Sequence, residues 1–164
     1  MIQILKNKYI FADFCSGYIW IIDLTDNKYE KEIKMYYANH RKMIKKTYQS
    51  SIDILYILKS HNYPCYVLSN WSAETFVGMK DDYPFLNKFD GLLLSGEVKL
   101  IKPEIAIYEL AISRFNLTPE ETVFVDDKKE NIEAAKKLNF ITVHLTDPNK
   151  IKVDVVLNKV LSLL

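Results

Sequence analysis

An apolar run that stops at two adjacent carboxylates, Val123-Phe124-Val125-Asp126-Asp127, constrains this chain more than any other feature. A short apolar run of this kind reads as a buried strand, and the acids sit where that strand would end. Two neighbouring carboxylates repel, and each raises the other's pKa unless a cation comes between them. Hard oxygen donors at a strand end suit Mg²⁺, which takes one or two carboxylates and fills its shell with water and substrate phosphate. The plain alternative is a solvated loop in which Asp127 caps the next helix.

The surrounding pattern places that pair in an α/β fold. Cys65-Tyr66-Val67-Leu68, Gly91-Leu92-Leu93-Leu94-Ser95, Thr122 to Val125 and Phe140-Ile141-Thr142-Val143-His144 read as strands. Helical spacing separates them: Ile52, Leu55 and Tyr56 share one helix face, and a further helix starts at Ser72, a good cap. Ile105, Tyr108, Ile112 and Phe115 line a helix with Pro103 in its first turn. Thr118-Pro119-Glu120-Glu121 has the capping-box pattern, and a helix from Glu130 to Leu138 stops at Asn139. Val153 to Leu163 reads as a closing helix. Alternating strands and helices imply a doubly wound, Rossmann-like parallel sheet over residues 50–164. Residues 1–49, with Tyr18-Ile19-Trp20-Ile21-Ile22, read mostly as helices, while Tyr9-Ile10-Phe11-Ala12 suits strand or helix.

In a sheet of this type ligands bind outside the carboxyl ends of the strands. Ser69, the loop carrying Lys102 and Asp126-Asp127 all map there. Lys102 supplies a compact positive charge for a phosphate or carboxylate, or is one more surface lysine. Ser69 can give its hydroxyl to a phosphate oxygen, with Asn70 and the backbone amides after it as further donors; a helix cap is the plainer role. Asn131 either orients a ligand carboxylate or sits in the first turn of its helix. Trp71 lines a pocket or packs. His40, His61 and His144 show no metal-ligand spacing.

Composition narrows the function classes. The 164 residues are 49% hydrophobic and 26% charged, long enough for one domain with a real core. A formal net charge of +1 with interspersed signs gives no basic face, so nucleic acid is not suggested. Cys15 and Cys65 lack metal spacing, and Cys65 reads as a buried free thiol, which fits a reducing cytoplasmic setting. Neither a signal layout nor a span long enough for a bilayer is evident, so no membrane partner is expected.

Taken in order, these segments resemble the haloacid dehalogenase-like (HAD) hydrolases. Tyr66-Val-Leu-Ser-Asn-Trp-Ser-Ala-Glu-Thr-Phe76 is similar to that family's second motif region, and Ile101-Lys-Pro-Glu104 to its third. Tyr83-Pro-Phe-Leu86, Phe89-Asp-Gly91 and Ser95-Gly-Glu97 lie between them. Val123-Phe-Val-Asp-Asp-Lys-Lys-Glu-Asn-Ile-Glu-Ala-Ala135 resembles the fourth motif in its Asp-Asp form. The likeness runs from about residue 30 to 148, through His144-Leu-Thr-Asp-Pro148. It implies a Rossmann-like core, a helical cap and Mg²⁺-dependent hydrolysis of a small phosphorylated metabolite. Ser69 and Lys102 would bind phosphate, and Lys102 would also hold the nucleophile's carboxylate. Asp127 would be the principal metal ligand with Asp126 beside it, and Asn131 would take the place of the following polar residue. The acid pair favours a phosphatase over a true dehalogenase, whose chemistry needs no metal.

The N-terminal part departs from that pattern. Family members begin with a strand ending in Asp-x-Asp, whose first aspartate attacks phosphorus. Here residues 17–49, with Tyr36-Tyr-Ala-Asn-His-Arg41, resemble the end of the cap, so the chain is expected to lack that strand. The sheet would then carry open apolar edges prone to self-association. Alternatively, Tyr9 to Phe14 is itself the first strand, with Asp13 as nucleophile. Cys15 then stands where a general-acid aspartate belongs, and the interval to Ser69 is short. A catalytically inactive HAD-fold remnant or partner-binding module is the competing function. A phosphoacceptor receiver domain would have its acids first and its lysine last, the reverse of the order here.

Overall fold

For apolar runs as short as those of this chain, length and flanking residues decide between strand and helix. The computed structural model describes residues 47–146 throughout, the strands at 8–12 and 19–23, and the helical positions Met35 and Asn39. The chain divides into two compact units, residues 1–45 and 46–164.

In the first unit, β1 (Lys8–Ala12) pairs antiparallel with β2 (Ile19–Asp23), from Lys8 opposite Asp23 to Ala12 opposite Ile19. The helix expected at Tyr18 to Ile22 is therefore corrected to a strand. Ile19-Trp20-Ile21-Ile22 is rich in β-branched and aromatic residues, and Tyr9-Ile10-Phe11 offers a matching cross-strand partner. Asp13, Cys15 and the expected helix at Val153 to Leu163 lie outside the described residues.

The second unit carries the parallel α/β core. α1 (Gln49–Ser60) leads to β3 (Tyr66–Ser69), then to two single-turn helices, α2 (Ala73–Phe76) and α3 (Met79–Asp82). A 3₁₀ turn at Pro84–Lys88 precedes β4 (Gly91–Leu94) and the single turn α4 (Ser95–Val98). α5 (Ile105–Phe115), a 3₁₀ turn at Pro119–Glu121, β5 (Val123–Asp126), α6 (Lys129–Lys137) and β6 (Ile141–His144) complete the described chain. β3 and β4 are parallel, with Tyr66 opposite Gly91 and Ser69 opposite Leu94. β5 and β6 are also parallel, with Asp126 opposite His144. These are separate ladders, since β3 and β5 share no hydrogen-bonded pairing.

The core lies between the ladders and α5 and α6. Leu93, Ile107, Tyr108, Ala111, Ala134, Ala135 and Phe140 form one buried cluster, with Leu68, Phe115 and Phe124 packed against it. Complete burial of an aliphatic side chain such as Leu93 contributes about 2 kcal/mol. No described helix is long and apolar enough to cross a membrane.

Local chemistry departs from the expected pattern at four places. α5 starts at Ile105 with Glu104 as its cap, so Pro103 precedes the helix rather than sitting in its first turn; the Lys102–Pro103 peptide is cis. Thr118 makes no side-chain cap, and its carbonyl accepts from Thr122 Oγ1 at 2.7 Å. Tyr56 is exposed, because Ile54 and Leu55 carry the buried face of α1. Cys65 precedes β3 and is half-buried, and burial pushes its thiol above the ordinary value. One start and one stop signal hold: Ser72 caps α2 by accepting from Thr75 N at 3.2 Å, and Asn139 adopts φ 65° after α6.

Candidate active site

Two strand ends meet the loop before α5 that carries Lys102. Ser69 ends β3 and Asn70 follows it, while Asp126 ends β5 and Asp127 follows it; Asn70 and Asp126 make the contacts to Lys102. Asn70 fixes that loop through a reciprocal pair: its Nδ2 donates to Lys102 O at 2.9 Å, and Lys102 N donates to its Oδ1 at 2.8 Å. Both ends of the Asn70 amide therefore hold the loop. The Lys102 side chain then reaches Asp126, with Nζ 2.7 Å from Oδ2. Its ammonium lies 5.7 Å from the centre of the Phe124 ring.

The ion pair is nearly dry, with side-chain exposures of 10% for Lys102 and 6% for Asp126. A buried charge persists only when its partners replace the lost water. Asp126 has them: besides Lys102, its Oδ1 accepts from Lys128 N at 2.9 Å and from Asn131 Nδ2 at 2.8 Å. Burial alone would push its carboxyl up; the Lys102 bond and charge, with those two donors, hold it below the usual carboxylate value.

Asp127 is exposed, and among the described residues nothing bonds to its carboxylate. Its backbone is anchored instead, with its carbonyl 3.0 Å from His144 Nε2. That contact gives the imidazole a structural partner at the end of β6. Ser69 is half-buried, and its hydroxyl makes no hydrogen bond among the described residues. Asn131 is 3% exposed, and its Oδ1 is a buried acceptor without a partner.

The Trp71 indole donates to Thr75 Oγ1 at 2.9 Å and meets Phe76 edge-on at 6.0 Å. Its carbonyl accepts from Gly96 N at 3.0 Å. The shallow cleft of about 330 Å³ beside β4, lined by Phe76, Val77, Leu92 and Leu94 among others, contains none of these site residues. Asp13 lies outside the described residues.

The oxygen set fits a hard cation. No group of three or more His, Cys, Asp or Glu side chains is assembled for a metal among the described residues. Mg²⁺ does not need one, because it keeps water and takes one or two carboxylates. The open Asp127 carboxylate, the remaining acceptor capacity of Asp126 and the orphaned Asn131 Oδ1 are oxygen donors of that kind.

Sequence reasoning missed Tyr108 and Phe124 as parts of this surround. The signal was present for Tyr108: a phenol on the apolar side of a helix must find a hydrogen-bond partner when buried. It donates to Asn131 O at 3.0 Å.

A sesquiterpene phosphatase from Aspergillus oryzae is 32% identical over 95 residues, covering 58% of this chain and 48% of that protein. (S)-2-haloacid dehalogenase 4A from Burkholderia cepacia is 27% identical over 145 residues, 82% of this chain and 60% of that enzyme. A HAD family enzyme from Bacteroides thetaiotaomicron, solved with magnesium and inorganic phosphate, superposes with a TM-score of 0.54 at 27% identity. That match covers 58% of this chain and 51% of the other. The chain thus spans about half the length of the relatives it matches. The family model for haloacid dehalogenase-like hydrolases matches residues 16–144, most of the sequence, and the chain belongs to that family.

Proposed function

We propose that this chain carries the phosphate- and metal-holding part of a Mg²⁺-dependent phosphatase site, acting on a small phosphorylated metabolite in the cytoplasm. The observation that carries this reading is the buried Lys102–Asp126 pair, with the exposed Asp127 next to it in sequence and Asn70, the neighbour of Ser69, bonded to the Lys102 backbone. The magnesium and phosphate held by the Bacteroides relative, and the phosphatase activity named for the Aspergillus one, support it.

Asp127 would hold the metal, with Asp126 and Asn131 Oδ1 beside it; bound Mg²⁺ supplies positive charge against the phosphate oxygens. The chain's own groups do the rest. Lys102, aimed by its bond to Asp126, would set its ammonium against a phosphate oxygen. Ser69 donates its hydroxyl, and the backbone amides that follow add further donors. Asn70 fixes the distance between the serine and the lysine by clamping the Lys102 backbone. A carboxylate must attack phosphorus for turnover in the family's manner, and Asp13 is the candidate.

The test is hydrolysis of an aryl phosphate by the purified chain, with Mg²⁺ and with EDTA, beside Asp13→Asn and Asp127→Asn variants. Mg²⁺-dependent turnover lost in both variants supports the full reading. Metal affinity unchanged in Asp127→Asn removes the site assignment.

A second reading rests on the two unjoined ladders. Open strand edges accept further strands, and on this reading the chain is an inactive fold remnant that associates with itself or a partner through β3 and β5. Val125, 36% exposed within β5, favours it. A monomer at all concentrations by light scattering would argue against it.

A further inference from the structure

Five residues close a circuit that includes the buried ion pair. Lys102 bonds Asp126, and Asp126 accepts from the Asn131 amide. The main-chain carbonyl of Asn131 accepts from the Tyr108 hydroxyl, and the Tyr108 ring meets Phe124 edge-on at 5.5 Å and 69°. Phe124 lies beneath the Lys102 ammonium, which completes the circuit. Tyr108 is fully buried, the deepest member of the circuit. It touches both arms: its hydroxyl serves the carboxylate side and its ring the ammonium side.

We propose that Tyr108 is a positioning residue for the Lys102–Asp126 pair, acting through the Asn131 carbonyl and the Phe124 ring rather than by touching substrate. Packing alone does not require its hydroxyl, because phenylalanine fills nearly the same space without a polar atom to bury. A buried phenol without a partner is unfavourable, so the hydroxyl is tolerated because it is bonded. The bond goes to the residue whose amide sets Asp126 Oδ1 and whose own Oδ1 is left open. Fixing the first turn of α6 thereby fixes the direction in which that open acceptor points.

The metal arm of the test rests on the phosphatase reading, so a second arm is independent of it. In EDTA, proton exchange of the Asn131 side-chain amide is followed by NMR in the wild type and in Tyr108→Phe. Loss of the hydroxyl is expected to speed that exchange about fivefold, the scale of one net hydrogen bond. Ile54→Val, in the separate cluster of Ile54 and Val143, lowers stability without touching the circuit and is expected to leave the exchange unchanged. Mn²⁺ binding is then measured by titration, and Tyr108→Phe is expected to weaken it about fivefold. Unchanged amide exchange in Tyr108→Phe, or an equal change in Ile54→Val, overturns the positioning role. Wild-type protein that binds no Mn²⁺ overturns the phosphatase reading instead, while the exchange comparison still decides the role of Tyr108.

Discussion

Replacing Lys102 by methionine should convert Asp126 from a stabilising group into a destabilising one. Methionine retains an unbranched stem beside Phe124 but removes the charge. Removing one partner of a buried ion pair costs about 3–5 kcal/mol. Asp126 keeps the Lys128 amide and the Asn131 side chain, so the lower end, about 3 kcal/mol, applies at pH 7. For a domain of this size that loss lowers Tm by about 12 °C. In the wild type the Asp126 carboxyl is held below its ordinary value, because the Lys102 pair and the two other donors outweigh burial. A depressed folded-state pKa contributes stability above the unfolded value of about 3.9, and loses it as pH falls through the folded value. Without Lys102, burial faces less opposition and the folded-state pKa rises above 3.9. The sign then reverses: stability is present below the unfolded value and is lost as pH rises. The gap between wild type and Lys102→Met should therefore be widest near pH 7 and shrink towards pH 4. Urea denaturation in EDTA, followed by circular dichroism at several pH values, measures it. A gap under about 1 kcal/mol at pH 7, or one that does not change with pH, would refute the reasoning. Asp126→Asn in the Lys102→Met background should recover much of the loss.

Asn70→Ala removes both bonds of the reciprocal clamp and leaves half-buried backbone groups of Lys102 unpaired, so denaturation should show a loss of about 1–3 kcal/mol. Asn70→Asp keeps an acceptor for Lys102 N and should fall in between. Gly96→Ala sets a Cβ 2.4 Å from Ala73 N and 2.8 Å from Ser72 Cα, both backbone, so melting should reveal a cost of about 1–3 kcal/mol. Gly91→Ala should be milder, because its closest clash, 2.6 Å, is with the Phe115 ring, which can turn out of its stack on Tyr66. Equal losses at the two glycines would contradict that distinction.

Much of the site was legible because its parts fall at strand ends. Ser69, Lys102, Asp126, Asp127 and Asn131 each stand beside a recognisable apolar run or helix start, and order along the chain places them on one edge. Their division of labour was not legible. Asp126 and Asp127 are chemically identical neighbours, yet Asp126, the last residue of β5, turns towards Lys102 while Asp127, just past the strand, is exposed. Nothing local to Asn70 signals that its amide clamps the Lys102 backbone, through bonds that only a folded loop can form.

Period, punctuation and motif order are local properties, and they suffice for the α/β alternation, the parallel core and the family. The strand character of Ile19 to Asp23 is not local, because it depends on the cross-strand partner Lys8 to Ala12. Nor is the meeting of Tyr108, Phe124 and Asn131 at the ion pair, since residues from β5, α5 and α6 come together only when the helices pack against the ladder. One cause underlies both. Local signals set what each segment can become, while burial and hydrogen-bond partners distant in sequence select which side chain faces which.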